Sequence, residues 1–165
     1  MAYMAKYNPD HAEFTYVFGG GFDESVIKLS ISHVDIDPAE ITAALHLRPT
    51  RAYRKGDLSE NKKRIMNHGM WQLATPWVSA LEFEENLARF MKKLPSDRRL
   101  WRRLTNRYDC EITAVLQMRT FNRGAGISPE LLREIADRGL KFGLDVYYDD
   151  DEALWSKKKV SRCSR

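Results

Sequence analysis

A cluster of basic side chains stands in the stretch LRPTRAYRKGD, residues 47–57, where it could bind an anion. If this stretch forms a strand, Arg51 and Lys55 point to one face and Arg54 to the other. Trp71, in the next predicted strand, could add an aromatic surface, although packing in the core or at its margin is its main predicted role. Guanidinium groups hold phosphate or carboxylate oxygens by paired, charge-assisted hydrogen bonds. These four residues are therefore a candidate site for an anion or a partner.

The same stretch also fits a solvated turn between two strands. Pro49 ends the preceding helix, because the residue before a proline is disfavoured in the helical conformation. Gly56 permits a left-handed turn and Asp57 can cap it. We favour this interpretation, in which the basic side chains are available for binding without being committed to it.

Arginines are concentrated in the helix predicted over residues 97–107. Four of them form one exposed stripe along this helix: Arg98, Arg99, Arg102 and Arg103. Such a stripe suits RNA, DNA or an acidic protein surface. Like charges at this spacing slightly oppose helix formation, so the stripe could instead be a structural face compensated by Glu82, Glu84 and Glu85. The sequence leaves both interpretations open.

Residues that perform catalysis do not occur in recognisable patterns. The three histidines near the candidate stretches are scattered: His33, His46 and His68. No HExxH motif or nucleophile elbow is present, and GGGFDES lacks the spacing of a phosphate-binding glycine loop. The acidic run at 149–152 lacks the spacing of a calcium loop, and Cys110 and Cys163 form no CxxC pair. We expect no catalytic residue, no metal site and no cofactor.

The composition is that of an ordinary globular protein. The chain has 165 residues, 43% hydrophobic and 30% charged, with a formal net charge of +4. This length fits one domain, and the basic excess favours anionic partners without requiring them. No apolar run approaches the roughly 20 residues that cross a bilayer, and MAYMAKYNPDHAEF lacks the apolar core of a signal peptide. We expect a cytoplasmic protein that does not contact a membrane.

The pattern of apolar residues predicts the element order β-α-β-β-α-α-β-α-β. The segment SVIKLSISHV alternates between apolar and polar residues, which is typical of a half-buried strand. Asp37 precedes Pro38 and stands three residues before Glu40, a pattern typical of a helix start. Gly139 is placed to end the last helix in the left-handed conformation.

Two segments of similar pattern suggest how the strands are arranged. A strand, IDPAEITAAL and a strand are echoed by a strand, ISPELLREIADRGL and a strand. This repetition predicts an α+β two-layer sandwich built from two split β-α-β halves, as in ferredoxin-like folds. The sheet is then mostly antiparallel, with the helices on one face, while the exact strand order stays open.

Three quoted segments also resemble a known family. The run DIDPAEITAALHLRPTRAYRKGD, then WQLAT, and later GISPELLREIADRGLKFGLDVYY are similar to DUF4279, a family of bacterial proteins with no assigned function. The resemblance covers a single domain at about 25–148. Residues 1–24 are then an N-terminal extension and 149–165 a charged C-terminal tail. The resemblance implies a fold family and no activity, and it does not extend to the arginine-rich helix.

Our leading functional hypothesis is a non-enzymatic binding protein that recognises a macromolecular partner, most simply a protein, through a charged surface. An immunity-like or inhibitor protein suits a small bacterial domain without a catalytic pattern. The second hypothesis is a nucleic-acid-binding module that uses the basic helix at 97–107. The third, a small-ligand sensor or enzyme, requires a concave pocket with convergent polar groups near Arg51, Arg54 and Trp71. The oligomeric state is not defined by the sequence.

Overall fold

The computed structural model describes residues 21–59, 63–79, 83–119 and 122–148. These residues form the following elements in chain order: β1 (Glu24–His33), α1 (Pro38–Leu45), β2 (Arg51–Tyr53), β3 (Gly69–Ala74), β4 (Val78–Ser79), α2 (Phe83–Lys93), α3 (Arg98–Arg107), β5 (Asp109–Met118), α4 (Pro129–Asp137) and β6 (Lys141–Tyr148). The fold is α+β, as predicted, and only the two-residue β4 is additional to the predicted order. Within the described residues, no helix is long and apolar enough to span a membrane.

The helix ends follow from short local signals. Asp37 adopts an extended conformation before α1, and its carboxylate accepts a hydrogen bond of 2.9 Å from the backbone N–H of Ala39. Asp97 caps α3 in the same way through Arg99 N–H, at 2.8 Å. These bonds satisfy backbone donors that have no partner within the helix. Gly139 follows α4 with φ of +67°, which confirms the predicted left-handed stop.

The sheet is open and mostly antiparallel. Five strands lie in the order β2-β3-β1-β5-β6, and β4 pairs with the start of β1 outside this order. β1 is antiparallel to both β3 and β5, and β2 is antiparallel to β3. β5 and β6 are parallel neighbours. β2 and β6 therefore form the two edges of the five-strand order.

All four helices contribute to one hydrophobic core, which lies on a single face of the sheet. Ile27, Leu29 and Ile31 of β1 face this core and are completely buried, as the alternating pattern predicts. The helices add the following buried side chains: Ile41 and Leu45 from α1, Leu87, Phe90 and Met91 from α2, Leu100, Trp101 and Leu104 from α3, and Leu131 and Ile135 from α4. The burial of these side chains fixes which face of α3 remains in solvent.

The prediction of two split β-α-β halves is only partly right. β1 and β2, which flank α1, are parallel strands separated by β3, so the first half is split as predicted. The strands that flank α4 are adjacent, so the second half is a direct β-α-β unit. The apolar pattern is the same in both cases, because a helix that connects two parallel strands has to cover the sheet in either arrangement.

Candidate functional site

The first candidate stretch forms a short edge strand followed by a turn. β2 ends at Tyr53, so the strand is shorter than the whole stretch and Lys55 lies in the turn. Arg51 and Tyr53 share one face, and the Arg51 guanidinium lies 5.4 Å from the centre of the Tyr53 ring. Tyr53 meets the His68 ring edge to face at 6.0 Å between ring centres. The aromatic group beside Arg51 is therefore Tyr53.

Trp71 does not belong to this surface. It lies opposite Ala52 on the other face of the sheet, and its side chain is completely buried in the core. Its indole N–H donates a hydrogen bond of 3.0 Å to Thr42 Oγ1, which satisfies the polar atom of a ring that is otherwise packed in apolar surroundings. The predicted strand and the predicted packing role of Trp71 are confirmed, and its candidacy as a surface aromatic group is wrong.

The turn after β2 is held by charged hydrogen bonds within the fold. The Arg54 guanidinium donates to Asp37 Oδ1 at 2.7 Å, and the Arg54 backbone N–H donates to Asp57 Oδ2 at 2.7 Å. Gly56 has φ of +91°, as expected for the left-handed position of the turn. The hydrogen bond from Arg54 lowers the pKa of the Asp37 carboxyl, and Asp37 in turn raises the pKa of Arg54. Arg54 therefore has a structural partner.

A depression of about 360 Å³ adjoins this turn and has mixed charge. Arg51 and Tyr53 line it from β2, and Asp57 and Met66 line it from the turn and the following segment. A carboxylate beside the guanidinium weakens the attraction for a phosphate or carboxylate ligand. The geometry gives little support to this stretch as an anion site, although Lys55 is exposed and carries no described ion pair.

The second candidate, α3, presents one apolar and one basic face. Leu100, Trp101 and Leu104 are buried in the core. The opposite side of the helix is exposed and is formed largely by arginines: Arg98, Arg99, Arg102, Arg103 and Arg107. Because the apolar residues are anchored against β5 and the other helices, the basic residues project together into solvent.

Two of these arginines are engaged with carboxylates of other elements. Arg98 forms an ion pair with Asp137 at the end of α4. Arg107 lies 3.7 Å from Glu40 of α1, and its guanidinium is 5.0 Å from the centre of the Tyr108 ring. These contacts connect α3 to its neighbours at both ends of the helix.

The other three arginines of α3 differ from Arg98 and Arg107 in their contacts. Within the described part of the chain, Arg99, Arg102 and Arg103 are exposed and have no carboxylate partner. We define these three residues as the α3 basic face. Arginines that only stabilise the fold are expected to pair with its carboxylates, and these three do not pair with a described one. The α3 basic face is therefore the strongest candidate for contact with another molecule.

The predicted compensation of α3 by α2 is wrong for the two glutamates that are described. Glu84 Oε1 accepts a hydrogen bond of 2.9 Å from the backbone N–H of Ser128, and Glu85 pairs with Arg89 within α2. Glu82 lies outside the described residues. Compensation comes from the carboxylates of α1 and α4, which are distant from α3 in the sequence.

A groove of about 330 Å³ runs beside the α3 basic face. Arg98 and Arg102 line one side, and Asp137 and Arg138 line the other. Arg138 is held in place because its guanidinium donates to the carbonyls of Glu134 at 2.8 Å and Pro95 at 3.3 Å. The groove is of mixed charge, because Asp137 pairs with Arg98 and the largely buried Arg138 lies 3.5 Å from a carboxylate oxygen of Glu134.

The groups with catalytic potential are not assembled into a site in the described residues. His33 Nδ1 accepts a hydrogen bond of 3.1 Å from Asp35 N–H, and the His68 ring contacts Asn67 at 2.7 Å. Burial raises the pKa of the Cys110 thiol to about 12, which keeps it protonated. No group of three or more His, Cys, Asp or Glu residues in the described ranges is placed to hold a metal ion. The acidic run at 149–152 and Cys163 lie outside these ranges.

The geometry thus defines an α+β domain with a basic helix face. Residues 23–149 match the family described as Domain of unknown function (DUF4279), and the chain belongs to this family. The match confirms the resemblance stated on sequence grounds. No curated protein and no solved structure match the chain.

Proposed function

We propose that this protein is a non-enzymatic binding protein of the cytoplasm that recognises an acidic surface of a protein partner through the α3 basic face. An immunity-like or inhibitor role, in which binding neutralises the partner, is the form of this function that we favour. The single observation that carries the proposal is the contrast within α3: Arg98 and Arg107 pair with carboxylates of the fold, whereas Arg99, Arg102 and Arg103 pair with no carboxylate of the described residues.

Physical chemistry supports arginine in this role. Its planar guanidinium can form two parallel hydrogen bonds to a carboxylate, and it is less strongly hydrated than a lysine ammonium. Arginine is also enriched at the centres of protein interfaces, where a few residues supply most of the binding energy. Since the apolar side of α3 is buried, the helix presents these groups without a large cost in ordering on binding.

The stretch after α1 has less support as the main binding site. Arg54 is already paired with Asp37, and Trp71 is in the core. Arg51 shares its depression with Asp57. Arg51 and Lys55 remain candidates for a secondary contact. A small-ligand sensor or enzyme, which would use a pocket here, is the least supported of the three functions.

The proposal is tested by recovering the partner and then measuring its affinity. The tagged full-length protein is incubated with a nuclease-treated lysate of its source cells, and the captured protein is identified and purified. Its affinity is then compared for the wild type and for the variant R99A/R102A/R103A. We expect a loss of tenfold or more, because each arginine at an interface centre contributes about 1 kcal/mol or more.

A matched control removes the same charge from other exposed positions. The variant R64A/R89A/R133A also lowers the net charge by three. Arg64 is exposed in the connection before β3, and the other two arginines lie on α2 and α4 in pairs within their own helices. We expect it to retain affinity within about threefold of the wild type. Equal losses in the two variants would show that overall charge, and not the α3 basic face, governs binding.

Nucleic-acid binding is the second candidate function, and Lys92 and Lys93 favour it. Both are exposed on the last turn of α2, just before α3 in the chain, and they bring further positive charge to the same part of the sequence. If this function is correct, affinity for a duplex or single strand falls steeply with salt. The variant R99A/R102A/R103A would then reduce the slope of log K against log salt by about three. Binding that is insensitive to salt would exclude this candidate.

We also propose that the core of the domain is a ferredoxin-like arrangement with one added unit. Two features support it: β2 is parallel to β1 with β3 between them, and β5 is parallel to β3 with β1 between them. α4 and β6 would then be an addition at the β5 edge. A solved structure whose helices cross the sheet in a different order would overturn this assignment.

A further inference from the structure

The edge strand β6 carries apolar side chains that are exposed in the part of the chain that the structure describes. Phe142, Leu144, Val146 and Tyr148 pair in register with the core-facing residues of β5 and so lie on the helix side of the sheet. Phe142 packs against the core, but Leu144 is 59% exposed, Val146 47% and Tyr148 52%. We call these three exposed residues the β6 strip. They form a contiguous apolar row at the margin of the sheet.

Charges usually protect an exposed edge strand against pairing, and those of β6 are already engaged. Lys141 forms an ion pair of 2.8 Å with Asp109 of β5. Asp145 accepts a hydrogen bond of 2.9 Å from the hydroxyl of Tyr147. These are the only ionised side chains of β6, and no proline interrupts it. An edge strand with an exposed apolar row and no proline is a template for pairing with another strand.

We propose that β6 pairs antiparallel with β6 of a second copy of this chain, so that the two sheets join across a twofold axis. An isologous contact of this kind requires a surface that is complementary to itself. The β6 strip is complementary to itself in a register centred on Val146. Val146 of each copy then lies opposite Val146 of the other, and Leu144 lies opposite Tyr148.

The carboxylate of Asp145 disfavours one alternative register. On the opposite face, the register centred on Val146 places Asp145 of each copy across from Tyr147 of the other, a carboxylate beside a phenol. A register centred on Asp145 would place two carboxylates directly opposite each other, which is unfavourable. Cross-strand pairs of aromatic and branched aliphatic residues are favourable. The pairing also satisfies the backbone N–H and C=O groups of β6 that pair with no described strand. It does not depend on the proposed function of the α3 basic face.

The oligomeric state of the full-length protein tests this proposal. Sedimentation velocity across a concentration series is measured for the wild type, for Val146→Lys, and for the control Val34→Lys, whose side chain is 45% exposed in the turn after β1. We expect a dimer for the wild type and for V34K. We expect V146K to dissociate with a Kd at least tenfold higher, because two lysines meet at the axis. Thermal melts check that both variants remain folded.

A mixing experiment tests the register. V146K and Val146→Asp are each expected to be monomeric, and an equal mixture is expected to restore the dimer, because position 146 meets itself only in this register. A monomeric wild type at all concentrations would overturn the proposal. If the wild type is monomeric and V146K lowers the melting temperature, a segment of the same chain covers the β6 strip instead of a second copy. A V146K protein that dimerises as tightly as the wild type would also overturn the proposal. If the mixture of V146K and V146D does not dimerise, the register is wrong.

Discussion

The guanidinium of Arg54 lies 2.7 Å from Asp37 Oδ1 and connects the turn after β2 to the first turn of α1. The same carboxylate oxygen accepts the backbone N–H of Ala39, so one side chain both caps the helix and fixes the turn. Arg54, part of the basic stretch that resembled an anion site, is therefore paired with a carboxylate of its own fold.

Substitutions at Asp37 should separate these two contributions. Asparagine remains a good helix cap but cannot form the ion pair, whereas alanine loses both interactions. We therefore expect the melting temperature to fall in the order wild type, D37N, D37A, with Arg54→Ala close to D37N. Thermal melts followed by circular dichroism measure this order. If D37A and D37N have the same melting temperature, the helix cap contributes nothing to stability.

The ion pair should also give the stability a defined dependence on pH. The hydrogen bond from Arg54 holds the pKa of Asp37 below its ordinary value of 3.8. The contribution is therefore complete above this value and is lost as the pH falls through the lowered pKa of the folded state. We expect the difference in free energy of unfolding between wild type and D37N to be constant near neutral pH and to disappear in acid. Urea titrations over a series of pH values from neutral into acid measure it, and a difference that does not diminish as the pH falls would argue against the ion pair.

The buried hydrogen bond between Trp71 and Thr42 should be visible in stability. Thr42 accepts from the indole and donates to the Pro38 carbonyl at 2.9 Å, so it links β3 to the first turn of α1. Thr42→Val leaves the indole N–H unsatisfied, and we expect a loss of about 1–3 kcal/mol. In the Trp71→Phe background the indole donor is absent. Thr42→Val should therefore reduce the free energy of unfolding by less in that background than in the wild type. Additive losses in this double-mutant cycle would show that the hydrogen bond is not energetically important.

Gly69 should tolerate a side chain far less well than Gly143. A Cβ atom at Gly69 would lie 2.5 Å from Ile36 Cγ2 and 3.2 Å from the Tyr53 carbonyl oxygen, and the backbone cannot move away easily. At Gly143, the Cβ would meet the Glu111 carboxylate, which is the end of a flexible side chain. We expect Gly69→Ala to cost about 1–3 kcal/mol and Gly143→Ala less than about 0.5 kcal/mol, measured by urea denaturation. Equal costs would contradict this account.

The Cys110 thiol should react only when the protein unfolds. It is 3% exposed, and burial raises its pKa to about 12, so it is protonated at pH 8. In a Cys163→Ser background, we expect a disulfide reagent to modify Cys110 at a rate that follows unfolding and rises with urea. Immediate labelling of the folded protein would show that the start of β5 opens on its own.

Local signals in the sequence were sufficient for most of the fold. The Asp37 cap, the alternation of Ile27, Leu29 and Ile31, and the left-handed Gly139 each depend on neighbouring residues, and each is confirmed. The adjacency of β5 and β6 could not be predicted, since it depends on which distant strand lies beside β5.

The candidate sites were harder to predict for the same reason. The arginines of α3 were visible as a stripe, but the partners of Arg98 and Arg107 come from α4 and α1. The exposure of the β6 strip was not predicted either. Its alternation is the same as that of a covered strand, and only the position of the helices shows that Val146 is uncovered.

The central position of β1 has a consequence for synthesis of the chain. β1 pairs with β3 on one side and with β5 on the other, and Ser25 meets Leu116 across the second pairing. During translation, β1, α1, β2 and β3 can assemble first. The side of β1 that pairs with β5 stays unpaired until β5 has left the ribosome. Since such long-range pairing is slow, the nascent protein carries an open, apolar strand through much of its synthesis. We expect aggregation of the chain to be most favourable during this interval.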